Sequence, residues 1–220
     1  MATIWRWNIA QSAERKWWQR YLKNKNVNEY LSWKKKYWQD FLTQCQPYFN
    51  LLSADASILD AGCGPSGIFI QFPQHAVTAF DPLLDAYEKD LPHFKKDNYP
   101  NVSFITSSIE KFSANKKYDY IFCLNAINHV QDIQKGYDKL IEYLRPNGIL
   151  IVSIDAHNYS FFKFLFKSLP GDILHPHQYN VTKYNQFITN RGLQILATKK
   201  LRHEFFFDYY VQIAQKKSNA

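Results

Sequence analysis

The chain has 220 residues and a formal net charge of +8, a length that suits one domain with an appendage and excludes a fusion of two enzymes. Its longest apolar runs are far shorter than the roughly 20 residues of a membrane span, and residues 1–11 lack the apolar stretch of a signal peptide, so we expect a soluble, cytoplasmic protein. Lysines are spread along the chain in short clusters, which favours a solvated basic surface over a dedicated nucleic-acid or acidic-lipid site.

The first 50 residues differ in composition from the rest. They contain all six tryptophans, whereas every glycine and nearly every proline comes later. Residues 10–23 and 28–45 contain no Pro or Gly and repeat aromatic side chains at helical spacing, which predicts two amphipathic helices. We therefore expect a helical extension over residues 1–50 and a domain over residues 51–220.

Beyond this boundary, short apolar segments alternate with helical patterns, which is typical of βαβ units and a parallel sheet. The predicted helices cover residues 83–90, 133–144 and 182–191, and Arg145-Pro146-Asn147-Gly148 is a turn signal after the second. The predicted strands cover residues 57–60, 76–80, 102–106, 118–124, 148–154, 194–201 and 204–214.

The strongest chemical signal is a strand that runs into a glycine-rich turn, Ile58-Leu59-Asp60-Ala61-Gly62-Cys63-Gly64-Pro65-Ser66-Gly67. Such a turn lets a ligand approach the backbone, and a strand-loop-helix setting is what a nucleotide-type site requires. Asp81 ends the next strand, where a carboxylate can accept hydrogen bonds from both ribose hydroxyls of an adenosine. The competing interpretation is an ordinary turn with an Asp cap.

This stretch resembles motif I of the class I S-adenosylmethionine-dependent methyltransferases, DxGCGxG, here written DAGCGPSG. The resemblance extends over about residues 50–200, through Asp81-Pro82, Ser107 to Glu110, Tyr118 to Asn125 and Leu144 to Leu150. It implies S-adenosylmethionine as cofactor and a Rossmann-like α/β sheet of seven mostly parallel strands in the order 3-2-1-4-5-7-6, with strand seven antiparallel. The implied cofactor contacts are Asp60, Gly62, Gly64, Asp81, Pro82, Ser108, Ile109 and Asn125.

One position departs from the family pattern. Ser108 stands where many relatives have Asp, so the acidic side chain that would contact the adenine amino group is missing, and a backbone contact at Ile109 is the alternative. Cys45, Cys63 and Cys123 have neither CxxC spacing nor an even count, which predicts free thiols and no disulfide or zinc site.

The methyl acceptor is less well defined by sequence. The (D/N/S)PP(Y/F/W) motif of nucleic-acid and protein amide methyltransferases is absent after Asn125, and no cysteine follows a proline as in cytosine-C5 enzymes, which disfavours nucleic acid. Asn128-His129-Val130 instead resembles the (E/H)HV segment of quinone-biosynthesis and other small-molecule methyltransferases. His129 is the candidate acid/base or acceptor-orienting residue, with helix-start packing as the alternative.

The segment after strand five is where relatives build the acceptor pocket. His175, His177 and Tyr179 are expected to line the pocket wall, and the proline between the histidines, together with the lack of a firm third ligand, argues against a metal site. The N-terminal helices are expected to form a lid, whose inner face combines Trp17, Tyr21, Tyr30 and Trp33. A membrane-interface anchor and simple packing on the sheet edge are the alternatives.

These patterns predict an enzyme that methylates a small or lipophilic metabolite at oxygen, nitrogen or carbon. If a base is used, a phenolic or enolic acceptor is preferred, because imidazole can accept its proton at neutral pH. The competing functions are an RNA or protein methyltransferase, which requires a basic face beside the pocket, and a non-catalytic cofactor-binding protein. The sequence leaves the oligomeric state undefined.

Overall fold

The computed structural model describes residues 4–48, 53, 55–157, 179–203 and 207–218. The strands in this part of the chain are β1 Ile58–Ala61, β2 Val77–Asp81, β3 Val102–Thr106, β4 Tyr118–Cys123, β5 Leu144–His157, β6 Leu193–His203 and β7 Phe207–Lys216. They form one sheet in the order β3-β2-β1-β4-β5-β7-β6. Strands β1 to β5 are parallel and β7 is antiparallel to both neighbours, which confirms the predicted fold.

Five α-helices flank this sheet within the described residues. They are α1 Ile4–Leu22, α2 Val27–Cys45, α3 Leu84–Asp90, α4 Ile133–Glu142 and α5 Val181–Thr189. Asn26, Asp132 and Asn180 begin α2, α4 and α5, because each side chain accepts hydrogen bonds from backbone N–H groups of the first turn. The two predicted N-terminal helices are thus present, and α1 starts earlier than expected.

Strand β5 begins earlier than predicted, at Leu144, because the buried Leu144 pairs with Tyr118 of β4. The turn signal at Arg145 to Gly148 corresponds to a bulge within β5. Leu144 pairs with Tyr118 and Ile149 with Tyr120, so four residues of β5 stand opposite Asp119, and Asn147 among them has φ of 61°.

Two short 3₁₀ turns, Gly64–Ser66 and Ile68–Gln71, occupy the end of the glycine turn and the residues after it. Ile68, Phe69 and Ile70 are consecutive and all buried, and such a run lacks the amphipathic spacing of a surface helix. The glycine turn is therefore followed by a tightly packed apolar plug.

Hydrophobic side chains cover both faces of the sheet. One cluster contains buried residues of α4 and α5, and the other contains buried residues of α2 and α3 together with the apolar plug. Cys45, Cys63 and Cys123 are buried and unpaired, as predicted. Among the described residues, no helix has both the length and the apolar character needed to cross a membrane.

Candidate active site

The glycine turn at the carboxyl end of β1 has a backbone conformation that residues with a Cβ rarely adopt. Gly62 and Gly64 have φ of 69° and 57°, in the left-handed region. A Cβ on Gly62 would lie 2.4 Å from the Ala126 Cβ. The backbone N–H groups of Gly62 and Cys63 both bond the Phe80 carbonyl, at 2.8 and 3.1 Å. The turn is therefore anchored to the end of β2, where Asp81 follows.

Asp81 joins the two loops that emerge from β1 and β2. Its carboxylate accepts hydrogen bonds from the backbone N–H of Gly64 at 3.0 Å and of Leu83 at 2.8 Å. Burial raises its pKa, and the negative charge of Glu14 raises it further. Asp81 and Pro82 line one cavity with Gly62 and Gly64.

Asp60 occupies a different place from the one predicted. It is 1% exposed and does not line this cavity, and its carboxylate accepts the backbone N–H of Phe69 at 3.0 Å. A Cβ on Gly67 would lie 2.3 Å from the same carboxylate, so only glycine fits at this position. Asp60 therefore ties the glycine turn to the apolar plug. Burial raises its pKa to about 7, although backbone N–H groups and Lys34 oppose the rise.

Helix α1 forms one wall of the cavity through four inward side chains, Trp7, Gln11, Glu14 and Trp18. The Oε1 atom of Gln11 is buried without a hydrogen-bond partner, so it offers an acceptor to a ligand. Glu14 accepts a long hydrogen bond from the Tyr87 hydroxyl, at 3.4 Å. The helix is held over the site by Arg15, whose Nε donates to Asp90 of α3 at 2.6 Å.

Helix α2 meets the glycine turn directly. The indole N–H of Trp38 donates to the Ser66 carbonyl at 2.9 Å, and the hydroxyls of Tyr30 and Ser66 lie 2.7 Å apart. Trp38 and Lys34 both line the cavity, and the Lys34 Nζ lies 4.5 Å from the centroid of the Trp38 ring. Burial lowers the pKa of Lys34 to about 8. This helix therefore brings a cation to an otherwise acidic cavity.

The loops after β3 and β4 complete the cavity. Ser108, Ile109 and Glu110 follow β3, and Asn125, Ala126 and His129 follow β4. Asn125 has φ of 55°, and its backbone N–H donates to the Ser153 hydroxyl at 2.8 Å. Asn is one of the few side chains that tolerate this backbone region, so Asn125 suits the sharp turn that follows β4. His129 lies a turn further on, half-buried against the same space.

Most of the predicted site residues share this cavity. They are Gly62, Gly64, Asp81, Pro82, Ser108, Ile109, Asn125 and His129. The enclosed space is about 120 Å³, less than the roughly 300–1,000 Å³ of most small-molecule sites, so a ligand of nucleoside size would also extend into the open mouth of the cavity. The structure therefore brings the residues predicted to bind the nucleoside and the loop that carries His129 to one cavity.

The predicted acceptor-pocket residues lie elsewhere or outside the described residues. Trp33 is 52% exposed on the outer surface and does not line the cavity. Tyr179 packs its ring on Tyr184 and Phe187 of α5. His175 and His177 lie outside the described residues.

The predicted inner face of the lid was wrong. Trp17, Tyr21, Tyr30 and Trp33 do form a chain of ring contacts, but none of them lines the cavity. The face that does is Trp7, Gln11, Glu14 and Trp18, at positions i, i+4, i+7 and i+11, which is a regular helical stripe. A search for polar residues on that stripe could have found it from sequence, whereas a search for aromatic residues alone favoured the outer face.

The sheet order, the glycine turn and the acid after β2 define a class I S-adenosylmethionine-dependent methyltransferase. Residues 52–193 match the sequence profile of a family described as a methyltransferase domain. Because this match spans well over half of the chain, the chain belongs to the methyltransferase domain family.

Individual relatives agree with this family. The chain is 38% identical over 100 residues to the ubiquinone biosynthesis O-methyltransferase of Rickettsia canadensis (strain McKiel). The aligned segment covers 44% of the chain and 41% of that protein. The solved magnesium protoporphyrin IX methyltransferase from Synechocystis PCC 6803, with bound SAH, matches with a TM-score of 0.62 at 17% identity, over 94% of the chain and 95% of that protein.

A methyltransferase structure from Clostridium acetobutylicum ATCC 824, described as S-adenosylmethionine-dependent, matches with a TM-score of 0.63 at 13% identity, over 94% of the chain and all of that protein. At these identities the solved structures show a shared fold. The sequence matches span about two fifths of the length of the curated relatives.

Proposed function

We propose that the chain transfers a methyl group from S-adenosylmethionine to an oxygen, nitrogen or carbon atom of a small or lipophilic metabolite. The observation that carries the proposal is one cavity in which Gly62, Gly64 and Asp81 face the same space as Asn125 and His129. The first three suit a nucleoside, and the last two stand beside the place where its reactive end would lie. The R. canadensis relative is named as an O-methyltransferase, which supports this class of reaction.

The residues of the cavity fit the chemistry of this cofactor. Gln11 leaves a buried acceptor without a partner, and a hydroxyl or amino group of the ligand can satisfy it. Asp81 and Glu14 would accept from the ribose hydroxyls and favour a ligand with positive charge. Lys34 would offer a cation to the ligand carboxylate. When bound, S-adenosylmethionine supplies a methyl group on a positively charged sulfur.

The protein's own contribution would be alignment, exclusion of water and, for some acceptors, proton removal. Walls from α1 and α2 shield the cavity, and the Asn125 backbone orients the loop that carries His129. An imidazole can accept a proton from a phenol or enol at neutral pH, which contributes typically 10²- to 10⁴-fold in rate. A phenolic or enolic oxygen is therefore the acceptor class we favour.

Residues 1–50 would act as the helical extension and residues 51–220 as the methyltransferase domain. The family match supports this division, since it begins at residue 52. Within the extension, α1 alone would act as a lid, because the buried side chains of α2 belong to the core on one face of the sheet.

The test is transfer of a labelled methyl group from S-adenosylmethionine to a panel of phenols, enols, amines and aliphatic alcohols. We expect His129→Ala to lower kcat on the best acceptor by at least about a hundredfold, with little change in affinity for S-adenosylhomocysteine. Asp81→Ala should weaken that affinity by at least about tenfold, or roughly 1.4 kcal/mol.

A matched control is His203→Ala, since His203 is exposed and pairs with Asp208 away from the cavity. Loss of cofactor binding in His129→Ala would make that residue structural, and unchanged affinity in Asp81→Ala would remove the ribose assignment. If the chain bound no S-adenosylhomocysteine at all, the proposed reaction would be wrong.

A further inference from the structure

The outward side of α1 carries large apolar side chains that water reaches. Trp5, Ile9 and Trp17 are 60%, 43% and 51% exposed. With Ala13 they form a row at four-residue spacing, so they lie along one face of the helix. Apolar side chains of this size, gathered on one helix face, mark an interaction surface more often than single scattered ones do.

Basic side chains accompany this row without acidic ones. Lys16 and Arg20 are exposed and lie on the same side of the helix. Glu14 is the sole acidic residue of α1, and it faces inward to the cavity. Among the described residues of α1, the outer face therefore combines apolar surface with positive charge.

A chain of ring contacts connects this face of α1 to α2. Trp17 lies on Tyr21 with centroids 4.8 Å apart, Tyr21 contacts Tyr30 at 6.3 Å, and Tyr30 contacts Trp33 at 5.9 Å. Trp33 is again about half exposed, and the Nζ of Lys25 lies 4.5 Å from the Tyr21 ring centroid. The exposed rings of Trp17 and Trp33 are thus linked through the half-buried Tyr21 and the buried Tyr30, and Lys25 and the acidic Glu29 lie exposed beside this link.

We propose that this surface, the aromatic-basic face formed by Trp5, Ile9, Lys16, Trp17, Arg20 and Trp33, lies on a membrane that contains anionic lipid. Tryptophan and isoleucine suit the boundary between headgroups and acyl chains, and lysine and arginine suit the anionic headgroups. A second copy of the chain is a poorer occupant, because a two-fold contact would bring like charges together. The exposed Ile9 offers nothing to nucleic acid, which binds basic and stacking side chains.

The placement has a consequence for the cavity. The opposite side of α1 carries Trp7, Glu14 and Trp18, which line the site. A helix with its side chains is about 10 Å across, so the site would lie about one helix diameter from the lipid. The inference goes beyond the proposed function and does not depend on it, since the surface would bind lipid whatever reaction the cavity performs.

The experiment is flotation of the full chain with vesicles made of equal parts phosphatidylglycerol and phosphatidylcholine, compared with vesicles of phosphatidylcholine alone. We expect binding to the anionic vesicles that weakens as salt rises. The double variant Lys16→Glu/Arg20→Glu should bind at least about tenfold more weakly, and Ile9→Asn should also bind more weakly. The matched control is Lys117→Glu/Lys135→Glu, which makes the same charge change at exposed positions before β4 and on α4.

Affinity for S-adenosylhomocysteine and the thermal midpoint are measured on every variant. Unchanged values would show that a loss of flotation comes from the surface and not from unfolding or a damaged cavity. The proposal is overturned if the full chain does not float with anionic vesicles, or if the control pair loses as much binding as the α1 pair. It is also overturned if the α1 variants abolish a dimer or RNA binding while vesicle binding stays unchanged.

Discussion

Helices α1 and α2 have 19 residues each and are both rich in aromatic side chains, yet they are attached to the domain in different ways. Helix α2 buries Tyr30, Trp38, Phe41 and Cys45. It also reaches the glycine turn through hydrogen bonds of Tyr30 and Trp38 to Ser66. Helix α1 buries mainly small or terminal positions and is attached through polar contacts, among them Arg15 to Asp90.

The two helices bring charges of opposite sign to the carboxyl ends of β1 and β2. Lys34 of α2 faces Asp60 and works against the rise in the pKa of that carboxyl. Glu14 of α1 faces Asp81 and adds to the rise in the pKa of that carboxyl. Helix α2 therefore places a cation near Asp60, whereas α1 places a second carboxylate near Asp81, where a ligand with hydrogen-bond donors or positive charge would fit between the two carboxylates.

The largest expected effect comes from truncation. A chain that lacks residues 1–45 should fail to fold, because each large buried side chain of α2 is worth about 3–5 kcal/mol against a total stability of roughly 5–15 kcal/mol. A chain that lacks residues 1–19 keeps Leu22 and α2, so it should still unfold cooperatively in urea. Equal stability of the two truncated chains would contradict the difference between the helices.

A matched pair of substitutions makes the same comparison at single residues. Trp38→Phe removes the donor to the Ser66 carbonyl and leaves space in the core, so it should cost about 2 kcal/mol or more in the free energy of unfolding. Trp18→Phe changes a half-buried residue of α1 and should cost less than about 1 kcal/mol. Urea denaturation of both variants measures this, and a larger cost for Trp18→Phe would count against the assignment of α1 as a lid.

Much of the fold could be predicted from sequence because it follows from local patterns. Strand β3 has the predicted bounds, and the sheet order and the antiparallel β7 follow from the resemblance. The 3₁₀ turns around Phe69 could not be predicted from local patterns, because this apolar plug is shaped by burial against α2 and α3. The extended start of β5 likewise depends on its pairing with β4.

The site shows the same division. Gly62, Gly64 and Asp81 carry their chemistry in the motif and line the cavity. Asp60 belongs to the same motif but bonds the Phe69 backbone, a contact that appears only when the chain folds back. Glu14 and Lys34 were missed because their roles depend on how two helices rotate about their axes, and aromatic spacing alone predicted the wrong face.

A smaller effect concerns pH. An unfolded Asp is charged above roughly pH 4, whereas burial keeps folded Asp81 protonated to higher pH, so stability falls as pH rises through that window. Glu14→Gln removes a cause of the raised pKa and should reduce this loss by about 1 kcal/mol between about pH 5 and pH 8. Lys34→Met should increase the corresponding loss at Asp60, since it removes the cation that lowers the pKa of that group.

Urea titrations of the ligand-free variants at about pH 5 and about pH 8 measure how much unfolding free energy each variant loses between the two pH values. Glu142→Gln is the control, because Glu142 is exposed and pairs with Lys139 on α4. The opposite signs expected for Glu14→Gln and Lys34→Met are the test of the electrostatic contrast, and changes of the same sign would contradict it.

The most direct test of α1 as the lid of the cofactor cavity is a calorimetric titration with S-adenosylhomocysteine of the chain that lacks residues 1–19, beside the full chain. We expect the shortened chain to bind at least about tenfold more weakly, because it loses the wall formed by Trp7, Gln11, Glu14 and Trp18. A folded shortened chain with the affinity of the full chain would contradict the account.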